Sequence, residues 1–188
     1  MSWPFGDLRM FGYDLIMADP PWLFENWSKG GEHKNATAKY DCMSMADIRA
    51  LPVADLASPD SVLWLWATNP MLPEQIDCLK HWGFKYCTAG HWVKKTVHGK
   101  LAFGTGYMLR CAGEPFLIGT IGKPETARNV RSVIEGLARE HSRKPEESYK
   151  AAELMMPHAR RLELFSRTKR AGWDVWGNET EKFAEVAA

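Results

Sequence analysis

The residues best suited to chemistry stand four in a row, Asp19-Pro20-Pro21-Trp22, directly behind the apolar run Leu15-Ile16-Met17-Ala18. Such a run reads as a buried strand. A strand there delivers Asp19 to the carboxyl edge of a sheet, where open α/β folds bind their ligands. Pro20 and Pro21 have no N–H and a fixed φ, so the turn is stiff and offers carbonyl acceptors alone. Trp22 adds an aromatic plane. A planar aromatic amine, such as the N6 group of adenine, needs two acceptors and a surface to stack on, and this turn supplies both. A Pro-Pro pair is by itself a common loop element; the four-residue pattern behind an apolar strand is what points to chemistry.

Strands and helices alternate along the rest of the chain. Tyr13–Ala18 reads as the buried strand, followed by a polar segment, Glu25–Asp41, rich in Gly, Lys and Asn. Ser44 is placed as an N-cap, with Asp47 at the third helical position, for a helix of about ten residues running toward Leu56. Ser61–Ala67 has high β-propensity. Pro73 starts a second helix whose inner face carries Ile76, Leu79 and Trp82 and which ends at Gly83. Tyr86–Val93 and Pro115–Thr120 are expected as strands, with the loop Lys94–Leu109 between them, and Val130–Leu137 as another. Pro145 opens a helix through Met156; Leu162–Phe165 and Asp174–Trp176 close the chain as strands. This order predicts one three-layer α/β domain over residues 1–188.

Composition narrows the function classes. With 188 residues, 45% hydrophobic and 25% charged, the chain reads as one soluble globular domain. It has no run of eighteen apolar residues, so no membrane span is expected, and its first residues do not resemble a secretory signal. Cys42, Cys78, Cys87 and Cys111 lack metal-ligand spacing, so no metal site is expected and a reducing, cytoplasmic compartment fits. A net charge of +1 argues against a strongly basic nucleic-acid clamp. Basic residues nevertheless cluster: Lys94, Lys95, His98, Lys100 and Arg110; Arg139, His141, Arg143 and Lys144; Arg160, Arg161, Arg167, Lys169 and Arg170. A polyanion needs only one basic face.

Several further motifs accompany the tetrapeptide. They include His81-Trp82-Gly83-Phe84, Trp92-Val93-Lys94, Glu114-Pro115-Phe116-Leu117 and Arg143-Lys144-Pro145-Glu146. Toward the end come Leu162-Glu163-Leu164-Phe165-Ser166-Arg167 and Trp173-Asp174-Val175-Trp176-Gly177-Asn178-Glu179. In this order, over nearly the whole chain, they resemble the N6-adenine methyltransferase family typified by the eukaryotic mRNA adenosine methylase. The short length is similar to that of its bacterial and phage members. The resemblance implies a Rossmann-like sheet, S-adenosyl-L-methionine as methyl donor, and a permuted order in which the catalytic strand comes early and the cofactor-binding strands late. Permutation accounts for the absence of a G-x-G-x-x-G loop before Asp19.

Carried over to matching positions, the resemblance implies that Asp19, Pro20, Pro21 and Trp22 form the catalytic turn. Lys144 then reaches the cofactor carboxylate, Arg167 binds the cofactor, and Asn178 and Glu179 hold its ribose hydroxyls. Asp7-Leu8 corresponds to an adenine-contacting dipeptide, and Asp19 borders the cofactor too. Family members often have Gln at the place of Glu179. Lys169 and Arg170 replace a His-Asn pair of the mRNA enzyme and suit either the cofactor carboxylate or a phosphate backbone. The segments after Trp22 and around Arg139–Lys144 correspond to loops that cover the site. The implied reaction is methylation of adenine N6 in nucleic acid, DNA before RNA. A non-catalytic nucleic-acid-binding module and methylation of another planar amide, such as a glutamine side chain, are the competing readings. Strand number, recognition sequence, and the choice between homodimer and partner subunit stay open.

Overall fold

The computed structural model describes residues 3–23, 42–106, 108–140 and 142–183. Seven strands form one mixed sheet in the order β5-β3-β4-β2-β1-β6-β7. They are β1 (Tyr13–Ala18), β2 (Ala57–Trp66), β3 (Lys85–Lys95), β4 (Gly113–Ile121), β5 (Val133–Leu137), β6 (Arg161–Leu164) and β7 (Trp173–Trp176). Helices α1 (Met45–Ala50), α2 (Leu72–His81) and α3 (Glu146–Met155) flank it. β1 pairs in parallel with β2 on one side and with β6 on the other. The chain therefore leaves β1 in one direction and returns beside it from the far end of the sequence, which places a switch point at the carboxyl end of β1.

Side-chain alternation divides the core. Ile16, Ala18, Leu63, Leu65, Leu162 and Leu164 face α1 and α2, together with Ile48, Cys78, Leu79 and Trp82. Leu15, Met17, Val62, Trp64 and Trp66 face α3, with Tyr149, Ala152 and Met156. Strands buried on both faces read as unbroken apolar runs. That is why Leu15–Ala18 and Val62–Ala67 were legible as central strands.

The elements differ from the sequence reading in detail. Ser44 does cap α1, its hydroxyl accepting the Asp47 N–H at 3.1 Å. The helix nevertheless ends at Ala50, and a separate 3-10 turn, Val53–Leu56, follows. Pro52 separates them, because proline disfavours helical geometry in the residue before it and cannot donate to the ladder. β5 begins at Val133 rather than Val130. In α2 the buried face includes Gln75, whose amide brackets Thr68 through its N–H at 2.9 Å and its hydroxyl at 3.2 Å. The segment Glu25–Asp41 and His141 lie outside the described residues.

At Gly90 the sheet tolerates no side chain. A Cβ there would sit 2.1 Å from the Phe116 ring and 2.6 Å from the Ser132 carbonyl oxygen. Gly90→Ala is expected to destabilise the fold by about 1–3 kcal/mol through overpacking. The check is a lower urea midpoint with an unchanged denaturant slope.

Candidate active site

The tetrapeptide leaves β1 as a tightly tethered turn. The Asp19 N–H donates to the Leu164 carbonyl at 3.3 Å, the Pro20 carbonyl accepts the Trp22 N–H at 2.8 Å, and the Pro21 carbonyl accepts the Met43 N–H at 3.1 Å. Pro20 thus keeps one lone pair for another donor. The Trp22 indole N–H donates to the Trp66 carbonyl at 3.1 Å, and the residue is 4% exposed, what surface it keeps bordering the larger of two cavities that meet at Asp19. Here the tryptophan anchors the turn to the core.

A chain of alternating charges runs from Asp19 into the sheet. Lys144, 8% exposed, places Nζ 2.8 Å from Asp19 Oδ2 and 3.1 Å from Glu114 Oε2. Glu114 Oε1 in turn accepts from Lys94 Nζ at 2.5 Å. Both ammonium groups sit over indoles, Lys144 at 5.2 Å from the Trp66 ring and Lys94 at 4.7 Å from the Trp92 ring. Lys144 is supplied by the segment just before α3, where Arg139 donates to its carbonyl at 2.7 Å.

Burial opposes every charge in this chain, and the partners decide the balance. Two lysines overcome burial at Glu114 and hold its carboxyl at about 2. Asp19 shares a single lysine with Glu114, so burial keeps its pKa above the ordinary carboxylate value. Lys144, between two carboxylates, is raised and stays charged. Sequence reasoning did not select Glu114 as a site residue. The available signal was a lone acid at the start of the apolar strand Pro115-Phe116-Leu117-Ile118, where nothing but a buried partner makes a charge tolerable.

Two adjoining cavities meet at Asp19, Pro21 and Arg167. The first, about 250 Å³, is lined on one part by Met43, Phe165 and Trp176 and on another by Asn178 and Glu179. The second, about 390 Å³, is bordered by Lys94, Arg139, Arg143 and Lys144. The basic clusters therefore converge in part: Lys94 from the first, Arg139, Arg143 and Lys144 from the second and Arg167 from the third border these cavities, while others do not. Arg160 pairs with Asp14 and Arg161 donates to the Met156 and Pro157 carbonyls at the opposite end of β6. Lys169 pairs with Glu181 at the surface and borders neither cavity. Asp7 and Leu8 border neither as well. Leu8 is tied to Phe5, whose ring meets Trp176 edge-on at 5.0 Å.

The sequence signature of the MT-A70 family matches residues 13–179. The chain belongs to the MT-A70 family. Among its relatives is an Arabidopsis thaliana protein named N(6)-adenosine-methyltransferase MT-A70-like, 35% identical over 95% of this chain and 26% of the relative. The Type II methyltransferase M.MunI of Mycoplasma sp is 30% identical over 89% of this chain and 77% of its own length. A Cryphonectria parasitica protein named N6-methyladenosine RNA methyltransferase MTA1 is 30% identical over 92% of this chain and 53% of the relative. The chain thus spans about a quarter of the plant protein.

For an MT-A70 domain the implied group is S-adenosylmethionine, and the first cavity suits it. Its apolar walls suit a purine, Asn178 and Glu179 offer an amide and a carboxylate to a diol, and Arg167 offers a guanidinium to a carboxylate. Lys144 borders the second cavity and not the first, with its ammonium committed to Asp19 and Glu114.

Because Glu114 draws on the lysine that Asp19 needs, Glu114→Gln is expected to lower the Asp19 pKa, and Lys144→Met to raise it. Carbon-13 titration of the Asp19 carboxyl by NMR, assigned by comparison with Asp19→Asn, reads both signs.

Proposed function

We propose that this chain is an S-adenosylmethionine-dependent methyltransferase acting on the exocyclic N6 of adenine in nucleic acid. The observation that carries this reading is Asp19 at the junction of two cavities. One suits an adenosine-type cofactor; the other is polar, rimmed by cations and adjoins the Asp-Pro-Pro turn. DNA is put before RNA by likeness to the bacterial type II methyltransferase, with RNA as the alternative that the relatives named for adenosine keep open. None of the four cysteines is in a disulfide among the described residues, which suits a reducing cytoplasm. No helix among the described residues is long and apolar enough to cross a membrane.

When bound, S-adenosylmethionine supplies a methyl group made electrophilic by its sulfonium sulfur. Adenine N6 is a weak nucleophile because its lone pair is delocalised into the ring. The Asp19 carboxylate accepts one N6 hydrogen and the remaining lone pair of the Pro20 carbonyl accepts the other, which localises the nitrogen lone pair toward the first cavity. Asp19 is far too weak a base to remove a proton from the neutral amine, even with its pKa raised. Its part is to stabilise the positive charge that develops on N6 as the methyl–sulfur bond breaks and the methyl–nitrogen bond forms. The alkylated, cationic nitrogen, unlike the neutral amine, is acidic enough to release its extra proton to Asp19 or to water. Lys144 keeps the carboxylate aimed and ionised, and Trp22 fixes the turn by its bond to Trp66. Arg167, Asn178 and Glu179 hold the donor in the first cavity. A paired base in a duplex does not reach such a site, so the adenine is extruded or the strand is single. The cations around the second cavity meet the phosphates on either side, with salt-sensitive affinity.

The test follows labelled methyl from S-adenosylmethionine into matched single- and double-stranded DNA and RNA. Asp19→Ala is expected to lower kcat by about 100-fold or more while S-adenosylhomocysteine still binds by calorimetry. Equal turnover by variant and wild type would remove Asp19 from the mechanism. Asn178→Ala is expected to weaken S-adenosylhomocysteine binding by about tenfold, read in the same calorimeter.

A further inference from the structure

Strand β6 carries a charge where the sheet calls for a hydrocarbon. Leu162 and Leu164 face α1 and α2, so Glu163 between them points to the α3 side. Its register partner on β1 is Met17, a core residue of that side. Glu163 is 5% exposed. An apolar residue would avoid the desolvation that a carboxylate suffers there, and burial does push its carboxyl upward. Two hydroxyls satisfy it instead. Tyr149 donates to Oε1 at 2.6 Å and Ser166 to Oε2 at 2.7 Å.

The two hydroxyls belong to different parts of the site. Ser166 organises the turn that presents Arg167: its oxygen accepts the Thr168 N–H at 3.2 Å, and its own N–H donates to the Trp176 carbonyl at 2.9 Å. Phe165, just before it, is held in the left-handed region at φ 61°, a strained conformation for a residue with a side chain. Gly177 approaches so closely that a Cβ there would lie 2.8 Å from the Ser166 carbonyl oxygen. Ser166 thereby sets Arg167, in the turn after β6, against Asn178 and Glu179, in the bend after β7. Tyr149 lies in α3, whose preceding residues bring Lys144 to Asp19. Arg170 stacks on its ring at 3.9 Å and pairs with Glu146, which Arg139 also holds at 2.8 Å.

We infer that Glu163 is a positioning residue that fixes the distance between the Arg167 turn and α3, whose leading segment carries Lys144, and so sets both cations relative to Asp19. The inference rests on the methyltransferase reading. The carboxylate touches neither substrate nor cofactor; it works through Ser166 toward the first cavity and through Tyr149 toward the Asp19–Lys144 pair.

Three single variants separate this role from plain support of the fold. Ser166→Ala is expected to weaken S-adenosylhomocysteine binding about tenfold, with kcat at saturating cofactor within about twofold. Tyr149→Phe is expected to do the reverse, lowering kcat about tenfold and leaving the dissociation constant within about twofold. Glu163→Gln should show both losses, and the double variant Ser166→Ala/Tyr149→Phe should add little to it. Calorimetry reads the cofactor arm without turnover, labelled-methyl transfer reads the other, and thermal melts report folding. A drop in melting temperature with binding and kcat unchanged, or losses that fail to divide between the two hydroxyls, overturns the inference. Should Glu163→Gln not fold, the two hydroxyl deletions carry the same decision. Failure of the wild-type protein to bind S-adenosylhomocysteine instead strikes the methyltransferase reading beneath it, a result visible before any variant is made.

Discussion

A single ammonium group, Lys144 Nζ, sits between two carboxylates from strands that are not neighbours in sequence, and the geometry of the site follows from it. Asp19 stands at the end of β1 and Glu114 near the start of β4, with β2 between those strands in the sheet. Without a shared cation the two acids would face each other in a poorly hydrated space, and one would take a proton. With it, the acid that has two lysines takes the low pKa and the one at the cavity mouth keeps the higher. The sheet, the loop before α3 and the indoles beneath the lysines all hold that arrangement in place. Charge is here a constraint on position, since a buried ion with one partner missing costs several kcal/mol.

The polar interior is divided in a regular way. The α1/α2 face is built from Leu, Ile, Val and Phe side chains together with hydrogen-bonded tryptophans, Trp82 donating to the Ile48 carbonyl at 3.0 Å. The α3 face carries the titratable groups: Glu163 and the Tyr149 hydroxyl within it, and Lys144, Glu114 and Lys94 along its rim, over Trp66 and Trp92. Aromatic rings suit that side because their faces attract the cations that the carboxylates require. One side of the sheet therefore serves mainly as hydrocarbon support, and the other carries charge toward the cavities.

Much of this was legible before any coordinates. The apolar runs of β1 and β2 announced central strands, and the Asp-Pro-Pro-Trp turn announced itself by chemistry that few loops need. The late motifs placed Arg167, Asn178 and Glu179 around one cavity. What escaped was tertiary in origin. The bond that ties Trp22 to the core escaped because its acceptor, the Trp66 carbonyl, is a backbone atom that composition does not reveal. Glu114 looked like a strand terminus because its partners lie at positions 94 and 144. The third basic cluster looked continuous, yet the four residues of β6 carry the chain from one end of the sheet to the other and divide Arg160 from Arg167. Asp7 and Leu8 border neither cavity; Leu8 is tied to Phe5, whose ring meets Trp176, a connection that spacing does not encode.

The pairing of β1 with β6 also bears on the order in which the molecule comes into being. Asp19 leaves the ribosome before Lys144, the Arg167 turn and the Gly177-Asn178 bend, which follow it by more than a hundred positions. Contacts this distant in sequence form late and slowly, since the intervening loop must close before they repay its entropy. A nascent chain therefore carries the reactive turn with neither its neutralising cation nor its second cavity wall. The site comes together only when the sheet is closed on both sides of β1, so competence for chemistry and completion of the fold are the same event.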